Sequence, residues 1–365
     1  MAVFTTAINE ILALPGKIDP VQYAKTRNYL DGSVSRLSPY ISRGVISLPF
    51  IFATIRERYS LEDSMKFLQE LAWREYFQRV WESKGDEIFA DLKFSQADVL
   101  HHETPTAIIQ ASTGIHIIDE QIRQLYETGY LHNHLRMYIA SMVCNIGKAH
   151  WQNPSRWMYY HLLDGDIASN TLSWQWVASS FASKKYYCNQ DNINAYTKTY
   201  QKGTFLDNPY EILPKMKLPD TLQSTALFKE STSLPEVNET MNETVEKIFI
   251  YNHYQLDPNW RSEEKGMRIL LLEPDHFSRF PISRKVLDFI LSLAANIKGI
   301  HVFTGSWEAL CKTFPQAVFH YIQHPAFTHY RGIGDEPQRL FPEVNGYYPS
   351  FSAYWKKCAK YTELM

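Results

Sequence analysis

The sequence predicts a mainly α protein: a long all-helical domain, a polar connecting stretch and a small C-terminal α/β unit. Three observations carry this. From Asn9 to about Lys202, apolar residues recur at three- and four-residue spacing in segments joined by short polar turns. Near Asp207 the composition shifts to Pro, Ser, Thr, Asn and Glu, as in TLQSTALFKESTSLPEVNETMNET, and stays so to about Gly266. From Met267 short apolar runs alternate with amphipathic segments, the pattern of a parallel sheet with crossover helices. The predicted boundaries are 1–205, 206–266 and 267–365.

Within the first region, Leu48–Ile55, Met65–Trp81, Ile117–Tyr126 and Leu135–Ile146 show helical spacing. The linker is expected to hold a short helix around Glu243–Tyr251. MRILLLEP, GIHVFTGS and AVFHYIQHP read as strands, and SRKVLDFILSLAANI and WEALCKTF as helices. The aromatic-rich tail from Gly332 to Tyr361 is expected to lie over the sheet or the first domain.

Composition narrows the function. The chain has 365 residues, net charge −2, 45% hydrophobic, 21% charged and 14% aromatic residues, so no global basic field marks it for nucleic acid. Its four cysteines are dispersed without a Cys-x-x-Cys pair, which leaves zinc and disulfide frameworks unsupported. His320, His324 and His329 read as strand-edge and loop residues, and no metal is predicted. No apolar run is long enough to span a bilayer. The start lacks a basic n-region and a small-residue cleavage site, so the cytoplasm is the expected location.

The chemistry concentrates in LLDGDIASNTLSWQWVAS, Leu162–Ser179, where Asp164, Asp166, Asn170, Trp174 and Trp176 crowd together. Buried acids beside aromatics need hydrogen-bond donors. A heterocyclic cofactor with ring N–H groups would supply them; the plainer reading is a capped helix, in which Asp166 or Ser169 ends one element, Asn170 starts another and the tryptophans are core. In YAKTRNYLDGSVSRLSPYISR, Ser35 and Ser38 suit either a helix cap or a pyrophosphate. QELAWREYFQRVW places Glu70, Trp73 and Arg74 on one helical face, and GYLHNHLRMYIAS does the same for Asn133, Arg136 and Met137. His132 and His134, two apart, point their rings away from each other. Lys184, Lys185, Lys198 and Lys202 stand among tyrosines, fitting a solvated helix end or a strand of nucleic acid with splayed bases.

Taken together, DGD-(small)3-N-(three residues)-WQW, the S-R-L-S turn, ELxWRE and HN-x-x-RM resemble the photolyase/cryptochrome family over roughly residues 20–205. The resemblance implies an all-helical photolyase-type domain binding FAD. Tyr23, Ser35, Arg36, Leu37 and Ser38 would hold the diphosphate and ribityl chain, with Val34 where the family usually has Thr. Asp164 would pair with Arg136, Asp166 would accept from the isoalloxazine edge, and Asn170 would lie near N5. Arg74, Glu70 and Asn133 would also border the cofactor. Glu70 would hydrogen-bond a damaged pyrimidine pair, with Trp73, Met137 and Trp176 shaping its pocket. Trp174 and Trp151 would be the first two indoles of a photoreduction chain. The third is absent from FSQADVLHHETPTAII, so the relay would stop, turn to a Tyr, or use Trp157 or Trp81.

Arg27, Arg74, Lys184 and Lys185 would face UV-damaged DNA, while His134 replaces a common DNA-facing Arg. The expected activity is light-driven splitting of cyclobutane pyrimidine dimers, most like that branch because Met137 stands where the (6-4) type tends to have His. The alternative is a cryptochrome-like photoreceptor signalling to a protein partner. The family's usual N-terminal antenna domain is missing, so no antenna chromophore is expected in its usual position.

Overall fold

The computed structural model describes residues 4–236 and 245–362. Asp19 starts helix α1 (Pro20–Thr26), its carboxylate accepting from the N–H groups of Val21 and Gln22. A short helix α2 (Ser38–Ser42) follows. The longest helix, α3 (Leu61–Lys84), is capped by Ser60, carries Glu62 and Asp63 in its first turn and Lys84 in its last, and stops at Gly85 with φ 52°. On it packs α6 (Ile167–Ala178), against which α4 (Asn133–Ser141) and α5 (Gln152–His161) pack in turn. Ser179, in the left-handed region at φ 67°, ends α6.

The second unit is built on β1 (Lys247–Tyr251), β2 (Met267–Leu272), α7 (Arg284–Ala294), β3 (Ile300–Thr304), α8 (Trp307–Thr313), β4 (Val318–Ile322), β5 (Ile333–Asp335) and α9 (Phe351–Cys358). Its five strands are all parallel in the order β3-β2-β1-β4-β5, so the order reverses beside β1. β1 corrects the expected short helix: of Glu243–Tyr251, Glu243 and Thr244 lie outside the described residues, and Lys247–Tyr251 is a strand. Ile248, Phe249, Ile250 and Tyr251 are all buried, as befits the middle of a sheet covered on both faces. The stretch 206–266, read as a connector, therefore supplies the central strand.

One apolar core runs from Leu37, Phe67, Leu68 and Leu172 of the helices into Ile250, Leu270 and Ile290 of the α/β unit. A second core, with Leu135, Trp151, Trp157 and Trp174, lies within the helical part. The tail's α9 packs on α3, so the aromatic C-terminal stretch covers the helical domain as expected. All four cysteines are free, and no described helix is long and apolar enough to cross a membrane.

Candidate functional site

Asp164 and Asp166 sit at the entrance of α6, only 5% and 4% exposed. Arg136 on α4 donates from Nη2 to both oxygens of Asp164 at 3.0 and 2.9 Å, and its Nε donates to the Leu131 carbonyl. Burial raises the Asp164 carboxyl, but the Arg136 charge and hydrogen bonds from Ser38 and Arg136 outweigh it and hold it below the usual carboxylate value. Ser42 donates to the Asp164 carbonyl, and the buried Arg43 donates to that of Leu163.

Asp166 is the helix cap, Oδ1 accepting from the Ser169 N–H at 2.7 Å, while Oδ2 meets Gln78 Nε2 at 2.5 Å and Arg74 Nη1 at 3.9 Å. The cap reading of the motif is thus realised by Oδ1, while Oδ2 is met by side chains of α3. Gln78 was not singled out from the sequence. Its signal was the four-residue step from Glu70 to Arg74 to Gln78 along one face of α3.

The cradle residues lie nearby. Arg36 is a non-glycine residue at φ 53°, a costly conformation that marks a constrained turn. Its guanidinium pairs with no carboxylate among the described residues and lies 5.9 Å over the Tyr130 ring. The Ser169 hydroxyl is buried with no partner among the described residues. Tyr23 packs edge-on against Phe67, and burial pushes its phenol up. Leu37 is fully buried, Ser35 accepts weakly from its N–H, and Asn133 is exposed. Asn170 is inside α6 and donates to the Ser155 carbonyl at 3.0 Å. An unpaired cation, serine hydroxyls and two buried acids fit a group with a diphosphate at one end and ring N–H groups at the other.

The substrate-side residues come together less well. Glu70 is held by Lys66 at 2.9 Å and Arg27 at 3.4 Å, which ties Arg27 to α3. Trp73 does not share their outlook: its indole stacks on Phe351 of α9 at 3.9 Å and 11°. One face of the indole expected to shape the pocket is therefore covered within the chain. Met137 is half-buried and Trp176 is 36% exposed beside Tyr186.

The basic patch is also largely paired. Lys185 binds Asp98 at 3.0 Å, Lys198 binds Asp31 and Lys202 binds Asp191, whereas Lys184 is exposed with no carboxylate partner among the described residues. His134 is buried, bonded through Nδ1 to the Asn28 carbonyl, and kept below its usual pKa first by burial. His132 caps α4, accepting from the His134 N–H.

The family model for the FAD binding domain of DNA photolyase matches residues 67–220. Residues 67–220 are thus matched as a photolyase-type FAD-binding domain. A deoxyribodipyrimidine photo-lyase of Streptomyces griseus is 32% identical over 154 residues, 40% of this chain and 32% of that protein. Its counterpart in Synechococcus is 34% identical over 170 residues, 43% and 35% of the two chains. The chain therefore spans about a third of the length of the curated relatives it matches. The cryptochrome structure from Synechocystis aligns at 25% identity with a TM-score of 0.49, covering 53% of this chain and 44% of that one; the assignment rests on the sequence matches.

In this FAD-binding domain the candidate relay indoles are both interior. Trp174 and Trp151 are each 2% exposed and belong to the same core. Trp151 donates its indole N–H to Asp91 Oδ1 at 2.7 Å, a partner the sequence did not single out. Trp157 donates to the Tyr126 hydroxyl in the same core, whereas Trp81 belongs to the other.

Proposed function

We propose that this chain binds FAD at the Asp164/Asp166 pair and uses blue light to split cyclobutane pyrimidine dimers in DNA. One observation carries the cofactor reading: three separate motif blocks, through Ser38 and Ser42, Arg74, and Arg136, converge on the two aspartates. Bound FAD supplies the photoexcited one-electron chemistry. Arg136 keeps Asp164 ionised, Asp166 faces the ring edge, and Arg36 with Ser35 and Ser38 takes the diphosphate. Glu70 hydrogen-bonds the dimer and stabilises charge developing on it, with Met137 and Trp176 at the rim. Extrusion of the lesion is eased because damaged bases stack poorly. The relatives' name, deoxyribodipyrimidine photo-lyase, supports repair.

A second reading, a cryptochrome-like receptor, is favoured by Phe351 on Trp73 and by the paired lysines. The two separate when photoreduced protein is incubated with UV-damaged oligonucleotide under blue light. Restored DNA supports repair; intact lesions beside normal flavin photoreduction support the receptor. In the repair enzyme Glu70→Ala lowers repair yield on the order of 100-fold while flavin absorbance stays unchanged. Flavin loss in that variant would move Glu70 to the cofactor side.

A further inference from the structure

Just ahead of the segment that lacks the third indole, Asp91 meets Trp151. Trp151 Nε1 donates to Asp91 Oδ1 at 2.7 Å, within the length of a charge-assisted hydrogen bond. The geometry is clamped. The Gln96 N–H donates to Asp91 Oδ2 at 2.7 Å, Gln96 Oε1 accepts from the Trp151 N–H at 3.0 Å, and Gln96 Nε2 donates to the Ala149 carbonyl at 2.8 Å. His150 completes the site, its Nε2 lying 3.3 Å from the same Asp91 oxygen. Its Nδ1 accepts from the Gln152 N–H, so Nε2 carries the proton and donates. Trp151 is 2% exposed, but the Asp91 side chain is 21% exposed, which gives a proton on it a way to water.

We infer that Asp91 is the proton acceptor for photo-oxidised Trp151 and that the relay ends there by deprotonation instead of by transfer to a third indole. This rests on the FAD reading above. The oxidant is a photoexcited isoalloxazine, which takes one electron from Trp174; Trp151 refills Trp174 and becomes a radical cation. Its Nε1–H bond then breaks, the proton goes to Asp91 Oδ1, and the unpaired electron stays on a neutral indole radical. Loss of the proton traps the oxidised site, because returning the electron then also requires returning the proton. A buried indole without a carboxylate has no comparable outlet.

Transient absorption and spin resonance after a blue flash test this on the full chain with FAD bound. The wild type should yield a neutral tryptophan radical, absent in Trp151→Phe, whose formation slows in deuterated water. Asp91→Asn keeps the indole's hydrogen-bond acceptor but removes the base. It should leave a radical cation that deprotonates on the order of 100-fold more slowly and recombines sooner. Asp91→Glu should restore the neutral radical, which separates base loss from misfolding. If Asp91→Asn deprotonates at the wild-type rate, or the signal survives Trp151→Phe, the assignment is wrong. A chain that takes up no flavin overturns the cofactor reading first. A chain that takes it up and forms a radical that keeps its proton overturns this inference alone.

Discussion

Arg74 and Glu75 are neighbours on α3, yet they serve different partners. Arg74 turns toward Asp166, with Gln78 beside it. Glu75, 2% exposed, turns toward the C-terminal segment, where it accepts from the backbone N–H groups of Leu340 and Phe341 and from the Tyr354 hydroxyl, with Arg79 alongside. Each carboxylate is buried and satisfied. What differs is the kind of donor: Glu75 is met mainly by backbone N–H groups and a core phenol, whereas the acid pair is met by the side chains of Arg136, Arg74 and Gln78, and the Ser169 hydroxyl beside it has no partner among the described residues. A buried acid in a functional motif is thus no guide to function until its donors are identified.

The largest effect that would sharpen this contrast is expected from Glu75→Ala. It strands two backbone N–H groups and a buried hydroxyl, which should cost about 4 kcal/mol in denaturant unfolding. A loss under about 1 kcal/mol would mean the tail is not anchored there.

Arg136→Ala comes next, at about 3 kcal/mol, because it leaves a buried carboxylate without its cation. Here pH gives a second readout. The wild-type Asp164 carboxyl lies below its unfolded value of 3.8, so its contribution is present above that pH and is lost as pH falls through the folded value. In the variant, burial acts unopposed and raises the carboxyl, so acidification relieves the strain. The stability gap should be widest near neutrality and close below 3.8; a gap independent of pH would break the pairing. Flavin uptake should fall with it, while Glu75→Ala changes flavin uptake only as far as it unfolds the chain.

Phe351→Ala is the mildest, about 2 kcal/mol for a half-buried ring stacked on Trp73 and Trp355. It should raise collisional quenching of tryptophan fluorescence and tighten binding of dimer-containing oligonucleotide. Unchanged binding would show that the covered face of Trp73 is not on the substrate's path.

Much of the helical part was legible because its apolar spacing and capping residues agree: Ser60 and Asp166 cap helices where polar residues precede periodic runs. The pairing of Arg136 with Asp164 was legible only through the resemblance. KIFIY was missed as a strand because its polar surroundings read as a linker and five residues are too few for periodicity to choose. The stacking of Phe351 on Trp73 and the approach of Asp91 to Trp151 join segments 278 and 60 residues apart. No local pattern encodes such contacts. His134 misled for a related reason: its place in the motif suggested the surface, but Asn28, Tyr138 and Tyr196 enclose it.

The apolar interior shared by the helices and the parallel sheet has a mechanical consequence. Side chains from both halves interlock in one close-packed mass, so swinging the halves apart would open a void lined with hydrocarbon. A photon absorbed among the helices can be felt at the sheet only through small slips of packed rings, not through a hinge. Heating should accordingly melt both halves in one event.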